Sequence, residues 1–199
     1  MIPRHLIFGV VFMLAVVLGI SVYMLRMRSR VVALPLAAVD TRPVAPPTVG
    51  ATEEVTLYVA DDAAGMLRPQ SVRIPLPSGR QQRAEELLRA LVNLYLEKST
   101  SHPLPPGSEV RNVYLLEPGT AVIDTNGALA DNHRSGILVE ELTVTSLIQS
   151  LASNLGGINR VKILVEGKQR DTLAGHADLS DFYDVSAVVH MAEQMQSGQ

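Results

Sequence analysis

The chain has 199 residues, room for one ordinary domain and a tail but not for two full domains. Apolar residues make up 47% and charged residues 19%, enough to fill a core, and the net charge of −3 disfavours binding along a nucleic-acid backbone. Cysteine and tryptophan are absent, which excludes disulfides, thiolate metal sites, a cysteine nucleophile and a lipid carried on cysteine. With three Phe and five Tyr, an aromatic platform for stacking sugars is not expected.

The mean hydropathy of +0.18 is high for a soluble protein, and the apolar content is concentrated at the start. After a short tail (1–5), twenty uncharged residues run from Leu6 to Leu25. A helix of that length is about 30 Å long, the thickness of a bilayer's hydrocarbon core. A cleaved signal would have a shorter apolar region of about 7–15 residues and a small-x-small cleavage site, so an uncleaved transmembrane helix is the reading adopted. Arg26, Arg28 and Arg30 follow it, against Arg4 before it; counted alone, they place the C-terminal side in the cytoplasm. Residues 26–50 form a basic flank and then a linker with Pro35, Pro43, Pro46 and Pro47, a semi-rigid spacer.

From Ala51 onward there are 12 basic and 19 acidic residues, so the acidity belongs to the domain, which is expected to stand off an anionic membrane. Val55–Ala60 alternates as a half-buried strand, and Gln70–Leu76 repeats the pattern, with Pro75 marking an edge. Asp61–Pro69 supplies the turn between them. Arg80–Lys98 is a helix with Ala84, Leu87, Leu88, Leu91, Leu94 and Tyr95 on one stripe and Ser78 as its cap. His102–Gly107 ends that helix and extends the chain. Glu109–Leu116 and Thr120–Asp124 read as strands joined by a Pro118-Gly119 turn. A polar loop, Thr125–Gly136, leads to a second helix, Ile137–Leu155, with Glu140 and Glu141 in its first turn and Gly156-Gly157 closing it. Arg160–Glu166 is a fifth strand, and Val185–Met195 has the spacing of an amphipathic helix within a 184–199 tail.

The order β-β-α-β-β-α-β predicts an α+β two-layer domain over 51–183. Two crossovers of one hand put both helices on one face of a single mixed sheet.

Reactive groups are few. His176, Asp178 and Asp181 in GHADLSDFY suggest a metal site, but a polar turn suits the same residues and is preferred. Glu140 and Glu141 are helix neighbours that point about 100° apart and do not form a glycosidase pair. The nucleophile-elbow, zincin, P-loop and dinucleotide motifs do not occur, so no catalytic residue, metal or cofactor is assigned. A polar loop as long as Thr125–Gly136 is uncommon in compact domains unless it binds something; Asn126, Asn132, His133 and Arg134 are the candidate partner-binding residues.

The succession VTLYVADDAAGML, RAEELLRALVNL, LPPGSEVRNVYLLEPGTAVID, VTSLIQSLASNLGGINRVKILVEGK and GHADLS resembles the GerMN domain of sporulation and spore-germination proteins, over Val55 to about Ser180. The resemblance implies a membrane-tethered, non-enzymatic module outside the cytoplasm, acting through envelope protein partners or self-association. It carries no catalytic residues across. It also outweighs the arginine count and puts the domain outside. The rival reading is an envelope hydrolase or wall-binding accessory acting on peptidoglycan.

Overall fold

The alternation at Val55 and Leu57 produces strand β1, Thr52–Asp61, with both side chains buried. Its partner β2, Met66–Pro75, runs antiparallel with Val55 opposite Val72 and Leu57 opposite Gln70. The turn is shorter than the sequence suggests, because Asp61 Oδ1 accepts the N–H groups of Ala63 and Ala64, and Gly65 closes the reversal at φ +66. The structure, a computed structural model, describes residues 50–197. The Leu6–Leu25 span and most of the 26–50 linker lie outside them. Among the described residues, no helix is long and apolar enough to cross a membrane.

Helix α1, Arg80–Leu96, buries Ala84, Leu87, Leu88, Leu91, Val92 and Tyr95. Its N-cap is Gly79 and not Ser78; the Ser78 hydroxyl and N–H instead donate to Gln82 Oε1. Strands β3, Val110–Leu116, and β4, Thr120–Thr125, form the expected antiparallel pair. At their turn Gly119 has φ +67, and a Cβ there would lie 2.8 Å from the Gly157 carbonyl oxygen, so only glycine fits without movement. A short helix α2, Gly127–Asp131, precedes α3, Ile137–Asn154. Strand β5, Arg160–Val165, lies parallel to β4. Strand β6, Tyr183–Asp184, is antiparallel to β5 and runs into α4, Val185–Ser197.

The α+β class holds, but the single mixed sheet is corrected. Two sheets are present: the β1–β2 hairpin, and a four-stranded sheet in the order β3–β4–β5–β6. The reason is visible along the free edge of β1. The backbone N–H groups of Thr56, Tyr58 and Ala60 donate to Asn154 Oδ1, Ser150 Oγ and the Tyr95 hydroxyl, at 3.3, 2.8 and 2.8 Å. Helix side chains thus satisfy the edge that another strand would have paired. On the other strand of the hairpin, Pro69 and Pro75 have no N–H to offer and suit an outer edge, as Pro75 predicts.

This arrangement explains why α3 has no exposed face along most of its length. Leu147, Ile148 and Leu151 fill the core, while Ser146, Ser150 and Asn154 fall at intervals of four, and the last two reach β1. The four-stranded sheet turns Val113, Ala121, Ile123, Val161 and Ile163 inward. Its opposite side leaves Tyr114 and Leu116 about half exposed.

Candidate functional site

Three segments meet at one end of the domain: the β1–β2 turn (62–65), the segment that leads into α3 with that helix's first residues (132–138), and the turn that carries the GHAD residues (174–178). A buried polar chain ties the first two together. His102, from the connection after α1, is fully buried, with its ring edge-on to Tyr95 at 4.8 Å. Its Nδ1 donates to Asp62 Oδ1 at 2.5 Å, and its Nε2 lies 2.7 Å from Thr143 Oγ1. His133 Nε2 approaches the same hydroxyl at 2.8 Å, and its Nδ1 donates to the Arg134 carbonyl at 2.8 Å. The Arg134 guanidinium returns to Asp62 as an ion pair. Burial pushes both imidazoles below the ordinary histidine value, against the raising effect of their hydrogen bonds to Asp62 and the Arg134 carbonyl.

Asp62, His102 and Thr143 reproduce the order of a carboxylate–imidazole–hydroxyl relay. Thr143 is only 1% exposed, however, and its hydroxyl is also engaged by the second imidazole. The set holds a turn, a connection and a helix together.

The third segment is held by Glu140, a fully buried carboxylate. Its Oε2 accepts the backbone N–H groups of Ala174, His176 and Ala177 at 2.9–3.0 Å. Its Oε1 accepts His176 Nδ1–H at 2.9 Å and the Gly136 N–H at 3.1 Å. Burial alone would raise its pKa, but the hydrogen bonds from the His176 ring and the three backbone groups outweigh it and hold it at about 2. Lys162 works from the other end: its buried ammonium donates to the carbonyls of Leu179 and Ser180 at 2.8 and 2.6 Å. Phe182 lies beside it, with the Arg160 guanidinium 4.7 Å from the ring centroid.

The residues singled out from the sequence divide accordingly. Asn126 is a structural cap: its side chain accepts from the Leu129 and Glu109 N–H groups and donates to the Gly107 carbonyl. His133 is 8% exposed and belongs to the buried chain. Asn132 and Arg134 are exposed. The expected open loop is partly the helix α2, fastened by the Glu166 carboxylate on the Gly127 N–H and by the Arg170–Asp131 ion pair. His176, Asp178 and Asp181 do not converge. His176 faces Glu140, Asp178 caps the Ser180 N–H and hydroxyl, and among the described residues no group of three or more His, Asp or Glu is placed to hold a metal ion.

Sequence reasoning missed the roles of His102, Thr143, Glu140 and Lys162. The available signal was slight: two acidic residues opening a largely apolar helix, and a lone lysine inside a strand. The surface above this scaffold was missed as well. Ile137 is 74% exposed and Leu138 is 45% exposed, the latter against the Gly65 turn.

A family model described as Germane, sporulation and spore germination, matches residues 56–171, more than half of the chain. The chain belongs to this family. The match includes Asp62, His102, His133, Glu140, Thr143 and Lys162, and ends just before the GHAD turn. The fold is similar to the first GerMN domain of the sporulation protein GerM from Bacillus subtilis, at 24% identity and a TM-score of 0.52 over 67% of this chain and 98% of that one. It is likewise similar to the tandem GerMN domains of the same protein, at 24% identity and a TM-score of 0.53, covering 67% of this chain and 46% of that one. A lipoprotein from Clostridium perfringens aligns at 19% identity and a TM-score of 0.45 over 71% of this chain and 93% of that one. No curated protein matches the chain.

Proposed function

We propose that this Germane-family chain is a non-enzymatic binding and assembly module of the bacterial cell envelope, acting in sporulation or germination. Leu6–Leu25 tethers it to the membrane, and the domain stands outside the cytoplasm on the 26–50 linker. Family membership supports the sporulation setting, and the uncharged twenty-residue run supports the tether. The observation that carries the binding role is the exposed Ile137–Leu138 pair, presented at the start of a helix whose next turns are locked by Glu140 and Thr143. Large aliphatic side chains held rigidly in water, flanked by Arg134 and Asn132, suit a protein partner.

The test is capture from cells by the full chain after mild cross-linking, comparing the parent with Ile137→Asp/Leu138→Asp and with Asn132→Ala/Arg134→Ala. The apolar double variant is expected to keep the parent's melting behaviour, the Asn132→Ala/Arg134→Ala variant to melt lower through loss of the Arg134–Asp62 ion pair, and both to lose cross-linked partner. Unchanged capture by the apolar double variant removes this surface from the proposal. The hydrolase reading draws on the Asp62–His102–Thr143 geometry. Thr143→Val that abolishes activity while leaving stability and complex formation intact would reinstate it.

A further inference from the structure

Two surfaces of the domain leave large apolar side chains in water. One is the start of α3, where Ile137 and Leu138 stand exposed. The other is the outer face of the four-stranded sheet, turned away from the core. Tyr114 and Leu116 point outward there from β3, Val122 stands opposite Tyr114 on β4, and the half-exposed Phe182 ring lies against Arg160 and Lys162 of β5. The central pair of this sheet, β4 and β5, is parallel, and parallel strands are normally covered on both faces. Whatever covers this one meets the face and does not add a strand. On the outer edge of β3 the Val113 carbonyl already accepts the Gln81 side chain, and β6 at the other edge has only two residues.

The charges left over on the two surfaces are opposite. Around Ile137, Asp61 pairs with Arg68, Asp62 with Arg134 and Asp131 with Arg170. Glu141 lies one turn beyond Ile137 on the same side of α3 and is half-buried. Among the described residues no cation or hydrogen-bond donor meets its carboxylate, and burial pushes it above the ordinary glutamate value. On the sheet face, Arg111 pairs with Glu166, and the Lys162 ammonium is held by backbone carbonyls. Arg160 is the cation that remains. It lies over Phe182 without a carboxylate at ion-pair distance, because Asp184, opposite it on β6, turns Oδ1 to the Ser186 and Ala187 N–H groups at the start of α4. The spans also match. Ile137 to Glu141 rises about 6 Å along the helix, and β3 to β5 is about 10 Å across the sheet, a difference that the long Arg160 side chain bridges.

We propose that the partner of the Ile137–Leu138 surface is a second copy of this chain: the start of α3 in one copy docks on the Tyr114–Leu116–Phe182 face of the next, with Glu141 against Arg160. The proposal rests on Ile137–Leu138 being a docking surface and names what meets it. The contact is head-to-tail. Each copy gives one kind of surface and receives the other, so a pair still has one of each free and further copies can add in a row.

The chain has no cysteine, so single cysteines set beside the docking residues report the contact. Thr120→Cys marks the sheet face, in register between Leu116 and Arg160, and Ser135→Cys marks the exposed approach to α3. Full chains carrying one or the other, with different tags, are purified in mild detergent, mixed and treated with a short bismaleimide. The mixture is expected to give a mixed dimer, each chain alone far less product, and a chain with both cysteines a ladder of larger species. Ile137→Asp/Leu138→Asp in the Ser135→Cys chain should remove the mixed dimer. Arg160→Glu in the Thr120→Cys chain should slow its formation about tenfold or more, and Glu141→Arg in the other chain should restore it. No mixed dimer, a mixed dimer that survives the apolar double change, or either chain linking to itself as readily as to the other overturns the head-to-tail contact. If no mixed dimer forms while the parent captures a different protein through Ile137–Leu138, the second copy is wrong and the docking surface stands. If a charge-reversed chain does not fold, the cysteine mixture and the apolar double change decide alone.

Discussion

Glu140→Gln is the sharpest test of how the site is built. The change keeps the size of the side chain and removes its charge. Five donors point at the two carboxylate oxygens: three backbone N–H groups on Oε2, and the His176 ring and Gly136 N–H on Oε1. An amide offers one accepting oxygen, so its NH₂ group must oppose two or three of those donors whichever way it is turned. The magnitude follows from the pKa: displacement from 4.5 to about 2 in a fully buried group corresponds to roughly 3 kcal/mol of folding free energy. For a domain of this size that lowers Tm by about 6–12 °C. The sign is specific. A depressed carboxylate stabilises above its unfolded value, so the gap between parent and variant should be constant from pH 7 to about pH 5 and narrow as the pH falls from about 4.5 toward 2. The assay is thermal unfolding of both proteins across that range. A variant that melts with the parent at pH 7, or a gap that persists undiminished at pH 2, would refute the role assigned to Glu140.

Two further substitutions test the core and the opposite anchor. Leu91→Asp puts a charge at a fully buried position on α1 and should cost more than about 4 kcal/mol, abolishing the cooperative transition; melting like the parent would show the wrong helix face. Lys162→Met keeps the stem and removes the ammonium from the Leu179 and Ser180 carbonyls, so it should cost about 2–3 kcal/mol, read as a lower urea midpoint with unchanged slope.

Most elements were legible because their signals are local. The β1 alternation, the α1 stripe, the Pro118-Gly119 turn and the Arg160–Val165 strand each depend on residues a few positions apart. The two-sheet arrangement was not, because it depends on Asn154 and Ser150 reaching Thr56 and Tyr58, about ninety positions away. The candidate site fails for the same reason. Asp62 meets His102 forty positions on, and Glu140 meets the GHAD turn more than thirty positions on. Polarity placed His133 in an open loop, since a buried histidine paired through a threonine looks no different in sequence from an exposed one. Asn126-Gly127 falls in the expected polar loop, and becomes a helix start only because the Leu129 N–H and Glu166 close it.

The stretch between β5 and β6 sets the last problem. Residues 166–182 contain no regular element, and loops that long are rarely ordered without a device to hold them. Here the apolar contribution is small: Leu173, Ala177 and Leu179 are its buried hydrophobic residues. The device is a pair of buried opposite charges, each matched to one kind of backbone group. Glu140 collects N–H groups from 174–177, and Lys162 collects carbonyls from 179–180. Between these anchors, Leu173 and Leu179 bond to Ala177 and Asp171, which closes the stretch on itself. If it is ordered as one unit, releasing either anchor frees much of what the other was holding. Glu140→Gln and Lys162→Met combined should then cost less than the sum of the single changes, by about 1 kcal/mol or more. Independent anchors would instead add to within about 0.5 kcal/mol. A double-mutant cycle by urea unfolding at pH 7 separates the two, and simple additivity would mean that the GHAD turn and the Lys162 carbonyls are held separately.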